Sequence, residues 1–69
     1  MKTSARNQFK GTVREIVKCP VSCEITIEIS SAVRVVAMIS TRSAESLGLA
    51  VGKPAYALIK ASSVVVAVD

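Results

Sequence analysis

Apolar and polar residues alternate along Cys23–Ser30, the stretch CEITIEIS, so that Ile25, Ile27 and Ile29 fall on one side and Glu24, Thr26 and Glu28 on the other. A period of two predicts a strand with one buried face and one solvated face. Phe9 to Lys18 predicts the preceding strand, with Phe9 in the core and Gly11 as the place for a bulge or a close backbone approach. Pro20 sits in the link between the two, and Ser30-Ser31-Ala32 reads as a turn. Val33 to Ser40 is β-branched and nearly continuous, which predicts a strand covered on both faces.

The pattern changes at Thr41. The stretch TRSAESLG offers a hydroxyl N-cap at Thr41 or Ser43, a carboxylate, Glu45, for the first turn, and a stop at Gly48, which together predict one short helix. Val51-Gly52-Lys53-Pro54 reads as a turn. Ala55 to Ala61 and Val64 to Val68 read as the last two strands, broken at Ser62-Ser63. The expected fold is therefore all-β with one short helix: a small OB-fold-like barrel of five or six strands, whose closure removes exposed edges. Without a repeat or a low-complexity tail, residues 1–69 read as a single domain.

Composition adds an assembly to that picture. A chain of 69 residues buries little surface by itself, yet 51% of its residues are hydrophobic. Other copies of the same chain are the simplest cover for them, so an obligate oligomer is expected. A membrane span is not, because no uninterrupted apolar run approaches the roughly 20 residues a spanning helix needs. Charged and polar residues stand where a signal peptide would be hydrophobic, and the expected location is the cytoplasm.

Nine Lys and Arg against five Asp and Glu leave a net charge of +4, which favours anionic partners without naming one. The absence of histidine removes the commonest general base and the commonest metal ligand, and no other residue pair supplies an activated nucleophile. Glu24 and Glu28 share a strand face, the ordinary solvated face of an alternating strand. An enzyme is therefore not expected. Cys19 and Cys23 have neither the C-x-x-C spacing of redox enzymes nor enough partners for zinc. Free, half-buried thiols are the simplest reading, with a metal or disulfide shared between subunits as the alternative.

Two donor-rich stretches without acids remain, TSARNQ at positions 3–8 and IKASS at 59–63. Ser4, Ser62 and Ser63 bring hydroxyls, Arg6 a guanidinium and Lys60 an ammonium, while the small Ala5 and Ala61 leave backbone amides approachable. A fully deprotonated tetrahedral dianion only accepts hydrogen bonds, so its ideal site only donates them. Phosphate at neutral pH keeps a proton and wants an acceptor, so a donor-only site favours sulfate, molybdate or tungstate. Serine and lysine also mark turns and strand ends, and spacing alone does not separate the two readings. A small OB-type nucleic-acid binder is the alternative from another class. Such proteins stack bases on aromatic side chains, and Phe9 and Tyr56 with scattered basic residues make a poor platform.

The segments SARNQFKGTV, EITIEI and SAESLGLAVGKPAYALIKASSVVVAVD together resemble the molbindins, small cytoplasmic molybdate-binding proteins of the transport-associated OB-fold class. The resemblance runs over essentially the whole chain. It implies a homohexamer, a trimer of dimers whose subunits exchange a strand, that stores molybdate or tungstate at subunit interfaces and needs no organic cofactor. The same module occurs in molybdate-responsive regulators and transporter ATPases, so a molybdate-sensing fragment is a further alternative. Carried onto this chain, one family site falls on Ser4, the Ala5 amide, Arg6, Ser40, Lys60, the Ala61 amide and Ser62, with SAR and IKAS from different subunits. A second falls on the loop of Lys18, Val21 and Ser22. There the family commonly reads KGAVNAEV where this chain has KCPVSCEI: Cys19 restricts the backbone, Pro20 lacks an amide proton, and Ser22 has no side-chain amide.

Overall fold

The computed structural model describes all residues from Met1 to Asp69. Four antiparallel strands, β1 (Asn7–Lys18), β2 (Ser22–Ser30), β3 (Val33–Ser40) and β4 (Pro54–Ile59), form one sheet in the order β3-β2-β1-β4. A short helix, α1 (Thr41–Ser46), follows β3, and a 3₁₀ turn (Ala61–Ser63) follows β4. The sheet curls into a half-barrel with one helix, the all-β, OB-like architecture expected from the residue pattern.

β1 makes the curl. Its first half, Asn7 to Thr12, pairs with Ile59 to Pro54 of β4, and its second half, Thr12 to Lys18, pairs with Glu28 to Cys23 of β2. At the crossover Gly11 has no room for a side chain. A Cβ there would meet the Glu28 carbonyl oxygen and lie 2.8 Å from Ile27 Cγ2. Gly11 thus marks a close approach of backbones. The bulge comes three residues later, between Val13 and Glu15. The extra residue, Arg14, lets Val13 and Ile16 both turn inward and adds local bend.

The core lies on the concave side: Val13, Ile25 and Ile27 with Cys23, Ala57 and Ala44 of α1, flanked by Ile16, Val35, Ile39 and Leu49. At roughly 2 kcal/mol per fully buried aliphatic side chain, this is a small core, and only 7 of the 69 residues are buried. Ile25, Ile27 and Ile29 face it as the alternation predicts. On the opposite face Glu24 is exposed, but Glu28 is braced by Arg14 Nε and Arg34 Nη2, each at 3.2 Å, rather than simply solvated.

Several expectations are revised. The chain alone forms four strands of an open half-barrel and not five or six of a closed one. The anticipated closing strand, Val64–Val68, pairs with nothing in its own chain, because the Ser62-Ser63 break becomes a 3₁₀ turn that leads it off the sheet. β3 is an edge strand covered on one face, so Val36 and Met38 are exposed. Phe9 pairs with Ala57 within the β1–β4 ladder but is 40% exposed rather than in the core. The N-cap of α1 is Ser40, whose Oγ accepts from Ser43 N–H at 3.0 Å, and Glu45 falls in the last turn. Thr41 is occupied elsewhere, donating to the Cys19 carbonyl at 3.2 Å. The stop is as expected. Gly48 takes φ +65°, with Gly48 N–H on Glu45 O and Leu49 N–H on Ala44 O, the paired bonds of a left-handed helix C-terminus.

Candidate anion site

Both donor-rich stretches reach the same place. Asn7 opens β1 and pairs with Ile59, the last residue of β4, so the residues just outside that ladder, Ser4 to Arg6 and Lys60 to Ser62, are brought side by side. They line a cavity of about 610 Å³ with Thr3 and Leu58. All six terminal residues proposed from the sequence, Ser4, Ala5, Arg6, Lys60, Ala61 and Ser62, are among its lining. They come from one chain, whereas the resemblance implies two.

Side chains next to the cavity hold its walls. Asn7 Nδ2 donates to the Ile59 carbonyl at 3.1 Å and ties the N-terminal arm to the residue before Lys60. Gln8 Nε2 donates to the Ala5 carbonyl at 2.9 Å, and the Ala5 N–H donates to Thr3 Oγ1 at 3.1 Å, so both sides of Ala5 are fixed. On the opposite wall the 3₁₀ turn closes with Ser63 N–H on the Lys60 carbonyl at 2.9 Å. Sequence reasoning assigned no role to Thr3, Asn7 or Gln8. Their presence in the same acid-free stretch as Arg6 was the available signal.

The electrostatics follow from what is absent. None of Glu15, Glu24, Glu28, Glu45 and Asp69 lines the cavity, and the chain's ion pairs involve Arg14 and Arg34 only. Arg6 and Lys60 therefore face one concavity with their charges uncompensated. A guanidinium and an ammonium beside hydroxyls suit an acceptor-only ligand, through charge-assisted hydrogen bonds.

Ser40 is elsewhere. It ends β3 opposite Ser22, beside the β1–β2 hairpin, at the Lys18 end of the 12-residue β1. Its hydroxyl caps α1 and donates to Ser43 Oγ at 2.8 Å. The loop residues of the second candidate set are dispersed. Lys18 lines a crevice of about 50 Å³ with Cys23, Thr41 and Glu45, Val21 projects from the turn at 79% exposure, and Ser22 is in the ladder. The hairpin holds itself together, with Cys19 N–H on Ser22 O at 2.8 Å and Thr41 N–H on Val21 O at 3.0 Å. Cys23 Sγ, buried, donates to Thr41 Oγ1 at 3.6 Å, while Cys19 is exposed, and both thiols are free.

Comparison with known proteins gives a consistent set. The TOBE domain model matches residues 3–66. The chain is 46% identical over its full length to the molybdenum transport protein ModE of Herbaspirillum seropedicae, of which it spans 26%. It is 44% identical to a probable molybdenum-pterin-binding protein of Haemophilus influenzae, with both chains covered completely. Among solved structures, a molybdate-binding protein from Sporomusa ovata superposes with a TM-score of 0.89 at 37% identity, over 97% of this chain and 98% of that one. The chain thus spans about a quarter of the ModE relative and nearly all of the two small binding proteins.

Proposed function

The chain belongs to the TOBE-domain family, in its molbindin group, and from that premise we propose that it is a cytoplasmic store for molybdate, or its congener tungstate. The observation that carries this is the terminal cavity, where Arg6 and Lys60 are unpaired and no carboxylate intrudes. Arg6 and Lys60 bind the dianion by charge-assisted hydrogen bonds, Ser4 and Ser62 by their hydroxyls, and the backbone at Ala5 and Ala61 completes the donor set. The protein binds and releases; it catalyses nothing.

A second copy of the chain finishes the site. At about 610 Å³ the cavity is of a size that encloses drug-like ligands, far more than one tetrahedral anion fills. Ser40, remote in its own chain, is supplied by that second copy. The exposed Val65, Val66 and Val68 pair with a partner's open sheet edge, and repetition of this exchange builds a homohexamer of single-domain subunits. The hairpin set, Lys18, Val21 and Ser22, is left out of the binding reading, because its donors are dispersed or already engaged.

A pterin ligand is less well supported, although relatives carry it in their names. Phe9 pairs with Ala57 and Tyr56 with Lys10, so the two aromatic rings leave opposite faces of the β1–β4 ladder and cannot sandwich a flat ring.

Calorimetry with molybdate on protein of measured oligomeric mass, with sulfate and phosphate as competitors, tests the proposal. Binding that survives millimolar sulfate, at a stoichiometry fitting shared interfaces, is expected. A well-folded oligomer that takes up no molybdate would sink it.

A further inference from the structure

Residues 60–63 do two things at once. Lys60, Ala61 and Ser62 line the anion cavity, and the 3₁₀ turn that begins there is where the chain leaves its own sheet. Two backbone bonds shape that turn, Ser63 N–H on the Lys60 carbonyl at 2.9 Å and Val64 N–H on the Ala61 carbonyl at 3.3 Å. None of its residues is buried, and no side chain caps it. A 3₁₀ run this short has poor hydrogen-bond geometry and little stability of its own. Beyond it Val65, Val66 and Val68 are 90%, 84% and 93% exposed, an apolar run without cover in its own chain. An open apolar groove of about 410 Å³, lined by Ile25, Ile39 and Leu49 among others, shares Leu58 with the anion cavity. The course of the apolar tail is thus set by a weak turn built from the anion's own donors.

We infer that the bound anion locks the strand exchange. By holding Lys60, Ala61 and Ser62 it fixes the hinge from which Val64–Val68 crosses to a second copy, so that loaded subunits part more slowly than empty ones. The inference rests on the oxyanion store with a shared strand, and adds to it a consequence for assembly. An anion bound to the hinge in its crossed-over form stabilises that form by its differential affinity. A subunit that withdraws its strand must then release the anion or bend the groups that hold it. Such coupling is reciprocal, so disturbing the turn weakens the anion even at a residue that does not touch it. Ser63 is that residue: it lies outside the cavity lining, and its N–H ties the turn to the Lys60 carbonyl. In the competing arrangement the hinge is indifferent to the anion, and empty and loaded subunits exchange at one rate.

Mixing isotopically light and heavy oligomers, and following the mixed species by native mass spectrometry, reads the exchange rate with and without molybdate. Mild urea is added until the empty protein exchanges within hours. Saturating molybdate is expected to slow exchange about tenfold or more, the worth of one hydrogen bond to a charged group, over the concentrations at which calorimetry shows binding. Lys60→Ala should exchange at a rate that molybdate does not alter. Ser63→Pro, which lacks the N–H, should bind molybdate more weakly, and Ser63→Ala, which keeps it, should not. Wild-type exchange unmoved by molybdate that calorimetry shows to be bound overturns the lock and leaves the oxyanion store standing, whether or not Ser63→Pro folds. Slowing of Lys60→Ala as strong as that of the wild type overturns it too, as does wild-type affinity in a folded Ser63→Pro variant. A chain that binds molybdate and stays monomeric has no exchange to lock and overturns it as well. Absence of molybdate binding by the wild type removes both readings together.

Discussion

The two ends of β1 carry similar residues in opposite circumstances. At the Asn7 end, hydroxyls and two cations line an open cavity with no carboxylate and no ion pair. At the Lys18 end, Lys18, Ser22, Ser40, Thr41 and Ser43 are just as rich in donors, but Ser40 caps a helix, Thr41 closes the hairpin and Glu45 shares the crevice with Lys18. The difference lies in what each donor is already doing. A hydroxyl engaged by the fold stabilises the fold and reaches a ligand only by giving up a bond, as Ser40 would give up Ser43 Oγ, whereas one with valence to spare takes a ligand without that cost.

The comparison is broken most directly by removing charge from each end in turn. Arg6→Ala or Lys60→Ala should each lose about 1.5–3 kcal/mol of molybdate binding, the worth of a charged hydrogen bond. Calorimetry that finds both variants at wild-type affinity would erase the distinction between the two ends.

Ser40→Ala sharpens it. Loss of the helix cap should cost about 1 kcal/mol of stability, read as a lower denaturation midpoint. Because a second copy brings Ser40 to the cavity in the proposed assembly, molybdate affinity should fall as well. A drop in stability without a drop in affinity would confine Ser40 to its structural task.

The smallest effect is expected from Lys18→Ala. An exposed lysine beside a crevice too small for much should change stability by no more than about 0.5 kcal/mol and leave molybdate titrations unaltered. A clear loss of affinity in that variant would return the hairpin to the binding reading.

The strands were legible because alternation is local. Ile25, Ile27 and Ile29 announced the buried face of β2, and Val33–Ser40 came out with the bounds predicted for it. The candidate terminal site could be proposed because donor-only chemistry needs a residue content, and that content stood in two short stretches that the structure brings side by side. What failed were statements about cover and competition. Nothing in its immediate sequence tells Phe9 that its ring stays partly uncovered, or β3 that it is an edge. The helix cap went to Ser40 because Thr41, an equally good capping residue, was taken by the Cys19 carbonyl across the hairpin. Asn7 and Gln8 were unreadable as supports because their acceptors, Ile59 and Ala5 carbonyls, are defined only once β1 has paired with β4.

By itself, then, the sequence determined the strand periods, the stop at Gly48, the lack of histidine and a pool of acid-free hydrogen-bond donors, all properties of residue type and near-neighbour spacing. Tertiary structure decided which of those donors meet. Antiparallel pairing of Asn7 with Ile59 carries Arg6 to Lys60 across more than fifty residues of chain, and the same sheet leaves Ser40 at the opposite end. Long-range register has no local signature, because it is fixed by the close backbone approach at Gly11, the bulge at Arg14 and the packing of the inner face around Val13 and Ile25.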